Sequence, residues 1–138
     1  MKFELVTPAK SLAKLDAIES VYIPGSEGEF GVLPGHQAFL STLQPGLLKI
    51  THDAGQKTTF VIGQGFVDVN PEAVTVLTEE AVAATDIDLA KSREELKTVE
   101  ATIQQLENLP EDARRPQELA LAQREQTILR LQIELASA

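Results

Sequence analysis

The hydrophobic period of this chain changes once, near residue 81, and that change constrains the fold more than any single residue does. From residue 2 to residue 80 apolar and polar side chains alternate in short runs, rich in β-branched and aromatic residues and broken at close intervals by turn residues. Alternation sends successive side chains to opposite faces of an extended backbone, so these runs predict antiparallel, half-buried strands. They cover 2–7, 20–23, 38–43, 47–51, 58–62, 66–69 and 74–78, with room for about ten short strands in all. Asp53, Ala54 and Gly55 supply an Asx start and a glycine able to take positive φ, which predicts a hairpin between the flanking runs, and Asn70 with Pro71 punctuates the next pair. One small sheet would leave a face bare, so strands at this density predict a β-sandwich or barrel.

Beyond residue 81 the spacing becomes helical. Thr85, Asp86, Ile87 and Asp88 have the form of a capping box, with Thr85 the expected N-cap and Asp88 close to the positive helix start. Leu89, Leu96, Val99, Ile103 and Leu106 recur at intervals of seven, three, four and three, which is one face of a helix that Pro110 ends. Residues 111–115 form a charged connector, and Pro116 suits the first helical position, where its missing amide would be unpaired anyway. The second helix, expected to run as far as Leu135, carries two apolar stripes: Leu121, Ile128, Leu131 and Leu135, and beside it Leu119, Ala122, Leu129 and Ile133. One partner helix covers only one of them. The expected architecture is therefore α+β: an N-terminal antiparallel β-sandwich at 1–84, then a C-terminal two-helix antiparallel hairpin at 85–138 with apolar surface for a second contact, either the β domain or another protein. All five arginines lie in the helical part, where seven basic residues face eleven acidic ones.

A length of 138 residues allows one domain with a core, or a small domain with an appendage. The absence of cysteine excludes disulfide frameworks, thiolate metal sites and cysteine nucleophiles. A net charge of −9 argues against nucleic acid, whose phosphates require clustered Lys and Arg. No apolar run reaches the roughly 20 residues of a membrane span, and the first residues carry neither a secretory nor a transit pattern, so the mature chain is expected to begin at Met1.

Catalytic groupings are sparse. His36 and His52, the only histidines, belong to no metal-ligating spacing, so no metal is expected. Gly63, Gln64 and Gly65 begin like a dinucleotide fingerprint but lack the third glycine and precede a strand; they read as a tight connection or bulge. Glu27 and Glu29 share strand parity, as a glycosidase pair would, which supports the alternative of a small β-sandwich hydrolase; no aromatic sugar platform accompanies them. A second alternative is a coiled-coil adaptor. The stretch 26–36, SEGEFGVLPGH, reads as a loop instead: three glycines and a proline set its backbone path, and acidic and apolar side chains alternate along it, the composition of a docking surface without a catalytic group.

That stretch closely resembles a signature of the ε subunit of F-type ATP synthase, and the likeness continues through Leu40, Leu43, Pro45 and Gly46, through Gly65, Phe66, Val67, Asp68 and Val69, through Val74, Thr75, Val76 and Leu77, and into Ile87 and Asp88. The resemblance spans essentially the whole chain. It implies a non-catalytic subunit of the central stalk that binds the γ subunit and the ring of c subunits, couples proton flow to ATP synthesis, and is peripheral to the cytoplasmic face of a bacterial inner membrane only through the complex. By position, Glu29, Phe30, Gly31, Val32, Leu33 and His36 would meet the c-ring, with neighbouring sandwich surface against γ. It also implies a hairpin that extends toward the α/β catalytic subunits and inhibits ATP hydrolysis, where Arg114, Arg115, Arg124 and Arg130 would meet acidic loops. Some members of that family bind ATP on the folded hairpin, and the corresponding positions here are Asp88, Lys91 and Arg124. This chain departs from the pattern: Lys91 stands for an arginine and Ser92 for an alanine, and Arg124 and Arg130, six apart, occupy different helix faces. No cofactor is expected.

Overall fold

Every period-two run becomes a strand, and three further strands form where alternation is weak. A computed structural model describes residues 1–110 and 115–137. Its strands are β1 (Lys2–Val6), β2 (Ser11–Leu15), β3 (Ile18–Gly25), β4 (Gly28–Val32), β5 (Phe39–Leu43), β6 (Gly46–His52), β7 (Gln56–Ile62), β8 (Gly65–Val69), β9 (Ala73–Thr78) and β10 (Ala81–Ala83). The strands missing from the sequence reading are β2, β4 and β10. β2 and β10 end the sheet, each held by one neighbour, and neither buries a side chain fully, so their apolar pattern is faint. β4 is a correction of a different kind. Within the glycine-rich stretch expected to be a loop, residues 28–32 pair with β3, from Gly25 opposite Gly28 to Val21 opposite Val32.

The strands form one continuous sheet in the order β10-β7-β6-β3-β5-β8-β9-β1-β2, with β4 also on β3. Pairing is antiparallel, as expected of the sandwich, with one added feature: β1 and β9 run parallel. A parallel pair requires a long crossover, and the seven intervening strands supply it. Folded over, the sheet wraps one core in which Phe3, Leu5, Ile23, Leu48, Ile50 and Ile62 are fully buried. Alternation is kept where it matters: Val67 and Val69 of β8 lie in the core while Phe66 and Asp68, which alternate with them, are exposed.

Two backbone features are costly to vary. β8 passes so close to β9 at Gly65 that a Cβ there would overlap the Leu77 carbonyl oxygen and lie 2.8 Å from the Thr78 Cα. In the hairpin between β6 and β7, Asp53 and Ala54 take left-handed φ of 47° and 59°. Alanine has no side chain with which to offset that strain. Ala54→Gly is accordingly expected to stabilise the chain by about 0.5–1 kcal/mol, read as a higher urea midpoint at unchanged slope; an unchanged or lower midpoint would contradict the assignment of strain.

The chain divides into two compact units, Met1–Thr85 and Asp86–Ala138. In the second, α1 spans Leu89–Glu107 and α2 spans Pro116–Ser137. Thr85 does not cap α1, as the capping-box reading required. It sits inside a single 3-10 turn at Ala84–Asp86, and the helix begins three residues later, with Asp88 as N-cap, its carboxylate accepting from the Lys91 amide at 3.1 Å. One aspartate thus provides both the cap and the negative charge at the helix start. Of the two stripes on α2, Leu119, Ala122 and Leu129 pack against Leu96, Val99 and Ile103 of α1. Ile128 is buried outside that cluster, and Leu121 is exposed.

Candidate docking surfaces

The six residues expected to form one contact loop are distributed by strand parity. On β4, Phe30 and Val32 face inward: Val32 is fully buried, and Phe30 packs on the core with its ring edge-on to Phe39 at 5.3 Å between centroids. Glu29 and Gly31 face outward beside Pro24 and Tyr22 of β3. Val32 and Phe30 therefore hold the strand in place, and the accessible chemistry belongs to Glu29, Leu33 and His36. Leu33 is 64% exposed. His36 is half-buried near the Phe39 ring, its Nδ1 within 2.8 Å of the Gln37 carbonyl. The segment after β4 is tied down by the Gly35 amide, which donates to the Pro71 carbonyl at 3.1 Å. Pro71 lies in the β8–β9 turn, where the Asn70 carboxamide oxygen accepts from the amides of Glu72 and Ala73. One end of the sandwich thus presents a stiff, hydrogen-bonded pair of turns with Leu33 protruding. Glu29 and Leu33 also border an open groove of about 550 Å³ with Tyr22, Lys49, Thr51 and Lys57.

The other outer face is apolar. Val6, Leu77, Phe66 and Thr42 stand opposite one another across β1, β9, β8 and β5, forming one row over four strands. Phe66 and Leu77 are about half exposed and Leu40, two residues along β5 from Thr42, is 71% exposed. At the end of the row a groove of about 690 Å³ is lined by Val6, Pro8, Thr42, Phe66, Leu77 and Thr78, among others. Clustered apolar groups on a sheet face that would otherwise be polar mark a docking surface. Sequence reasoning did not single these residues out as a surface, because Phe66 sits in a run, Gly65–Val69, whose apolar members read as core. The signal was there in the odd member of the alternation.

Candidate groups for acid–base chemistry are dispersed. Glu27 lies in the two-residue turn joining β3 and β4 and Glu29 on the strand, both exposed to solvent. Among the described residues no group of three or more His, Cys, Asp or Glu could hold a metal ion. In the hairpin, the Asp88 carboxylate is engaged in capping and Lys91 pairs with Glu95 at 3.9 Å. Arg124 is half-buried on α2, Arg115 pairs with Glu118 at 3.5 Å and Arg130 with Glu100 at 3.4 Å. Arg114 lies outside the described residues.

Residues 1–84 match the model of the ATP synthase delta/epsilon chain β-sandwich domain. An ATP synthase epsilon chain of Hydrogenobaculum is 35% identical over 136 residues, 99% of this chain and 93% of its own. This chain belongs to the ATP synthase epsilon family. The epsilon chain of Maricaulis maris is 40% identical over 96 residues, 70% of this chain and 71% of its own. Among solved structures, a chain of the Euglena gracilis mitochondrial ATP synthase, determined as an assembly of OSCP, F1 and c-ring, superposes with a TM-score of 0.77 at 28% identity, covering 99% of this chain and 80% of that one. The Hydrogenobaculum and Euglena likenesses each cover 99% of this chain, both units included. No helix among the described residues is long and apolar enough to cross a membrane.

Proposed function

We propose that this ε-family chain is a non-catalytic subunit of the central stalk, carrying rotation between a ring of c subunits and γ while ions flow and ATP is made. The observation that carries this reading is the pairing, on one rigid sandwich, of an apolar row (Val6, Leu40, Phe66, Leu77) with a stiff turn-bearing end near Glu29, Leu33 and His36. Two chemically different surfaces on a single sheet suit a part clamped between two partners. The apolar row suits a permanent interface, which buries hydrophobic area on both sides, and is assigned to γ. Glu29, an exposed carboxylate beside Leu33, suits basic loops on the ring. Association with the cytoplasmic face of a bacterial inner membrane would then come only through the complex. The hydrolase alternative has less support, since Glu29 borders a groove whose lining does not include Glu27, where a glycosidase pair needs both carboxylates on one substrate cleft.

The hairpin is assigned a regulatory role: of the two apolar stripes on α2, Leu119, Ala122 and Leu129 pack on α1 while Leu121 of the other is exposed, which fits a helix able to exchange partners. Arg115, Arg124 and Arg130, with Arg114, are the candidate contacts to the catalytic subunits in an extended state. Nucleotide sensing through Asp88, Lys91 and Arg124 has weaker support, because the Asp88 carboxylate and the Lys91 amine already have protein partners. Complexes assembled with the full chain and with residues 86–138 deleted should differ in ATP hydrolysis, the truncated form being faster by about fivefold or more. Equal rates would remove the regulatory assignment and leave the docking assignment standing.

A further inference from the structure

The inward series on α1 is not wholly apolar. Between Leu89 and Leu96 the sequence pattern leaves a seven-residue gap, and the structure fills it with Ser92, 5% exposed. The series then runs 92, 96, 99, 103 and 106, spaced four, three, four and three, as along a coiled-coil seam. A hydroxyl at such a position must find a partner or destabilise the interface.

Hydroxyls in helices ordinarily donate to the carbonyl four residues earlier. Thr98, Thr102, Thr127 and Ser137 all do so, to Glu94, Thr98, Gln123 and Ile133. Ser92 behaves differently. Its Oγ donates across the hairpin to Gln132 Oε1 at 3.1 Å, joining the start of α1 to the end of α2. The apolar cluster of Val99, Ile103, Ala122 and Leu129 lies nearer the connection between the helices. The two helices are therefore held by apolar packing toward the closed end of the hairpin and by one partly buried polar bond toward its open end. Glu100 and Arg130 add an exposed ion pair between them, of the weak, salt-screened kind.

Gln132 lies on the flank of α2 between the two apolar stripes, three residues after Leu129 and one after Leu131. Apolar packing has little directionality, whereas a hydrogen bond forms only when donor and acceptor are aligned within reach. We infer that the Ser92–Gln132 bond is the catch that closes the hairpin at its open end. This rests on the two-state reading of the hairpin proposed above. Because both groups are neutral, the catch is indifferent to salt, and one bond is weak enough to be exchanged.

The chain has no cysteine, so spin labels placed on the full-length protein at Arg93→Cys and Glu134→Cys report the α1–α2 separation by dipolar spectroscopy without background. Ser92→Ala should raise the open-to-closed ratio about tenfold, even though alanine is the better helix former, while Ser92→Thr, which keeps the hydroxyl, should stay close to the parent. Gln132→Ala should act like Ser92→Ala, and the double variant should open no further than either single one. An unchanged ratio in Ser92→Ala, or effects of the two single variants that simply add, would overturn the catch. Hydrolysis rates of the same variants in the assembled complex separate the two readings: a hairpin that opens with no change in rate keeps the catch and removes the regulatory role.

Discussion

Gly65→Ala is expected to destabilise the sandwich by about 3 kcal/mol or more, as overpacking against backbone does when no side chain can move aside. The added methyl group would overlap the Leu77 carbonyl oxygen, which belongs to the β8–β9 pairing itself. Retreat of β9 is opposed by its own surroundings. Thr78 is buried, with its hydroxyl directed to the carbonyls of Gln64 and Glu80, both 3.1 Å away, and Gly65 is paired with Leu43 on its other side. Denaturation in urea followed by far-ultraviolet circular dichroism should show a lower midpoint at nearly constant slope. A loss below about 1 kcal/mol would mean that β9 yields easily and that the close approach is not structural.

Phe66→Asp combined with Leu77→Asp should weaken binding to γ by more than about 100-fold, with each single change worth about tenfold or more, the range of central anchors in an interface. Phe66 and Leu77 stand opposite each other in the middle of the apolar row and are about half exposed in the free chain. Their replacement removes little from the core, so the stability of the isolated chain should change by only about 1 kcal/mol or less. Lys49→Glu, on the other outer face, serves as the control and should bind γ as the parent does. Titration calorimetry with purified γ gives all of these values. Full binding by the double aspartate variant would assign the apolar row to some other partner.

Legibility in the sequence varied from element to element for identifiable reasons. Strands with a strong inward alternation, such as β6, β8 and β9, announce themselves because each places two or three residues in the core. β4 was hidden by its own composition: glycines at 28 and 31 read as loop, and only the pairing with β3 turns the segment into a strand whose inward members are Phe30 and Val32. The docking role drawn from the same stretch had to be divided accordingly, Glu29 and Leu33 outward, Val32 inward. Thr85 was the expected cap, and the 3-10 turn preceding α1 is what moves that role to Asp88.

What the sequence determined by itself was the two-part plan: the change of period near residue 81, the turns at Asp53 and Asn70, the helix start at Pro116 and the family likeness are all local patterns, readable because each residue's preference acts within a few positions of it. Tertiary structure alone decided the parallel β1–β9 pair, the apolar row from Val6 to Thr42, which stripe of α2 meets α1, and the partner of Ser92. Each of these joins residues far apart in the chain, and their contact is set by sheet order and helix rotation, quantities that no local propensity encodes.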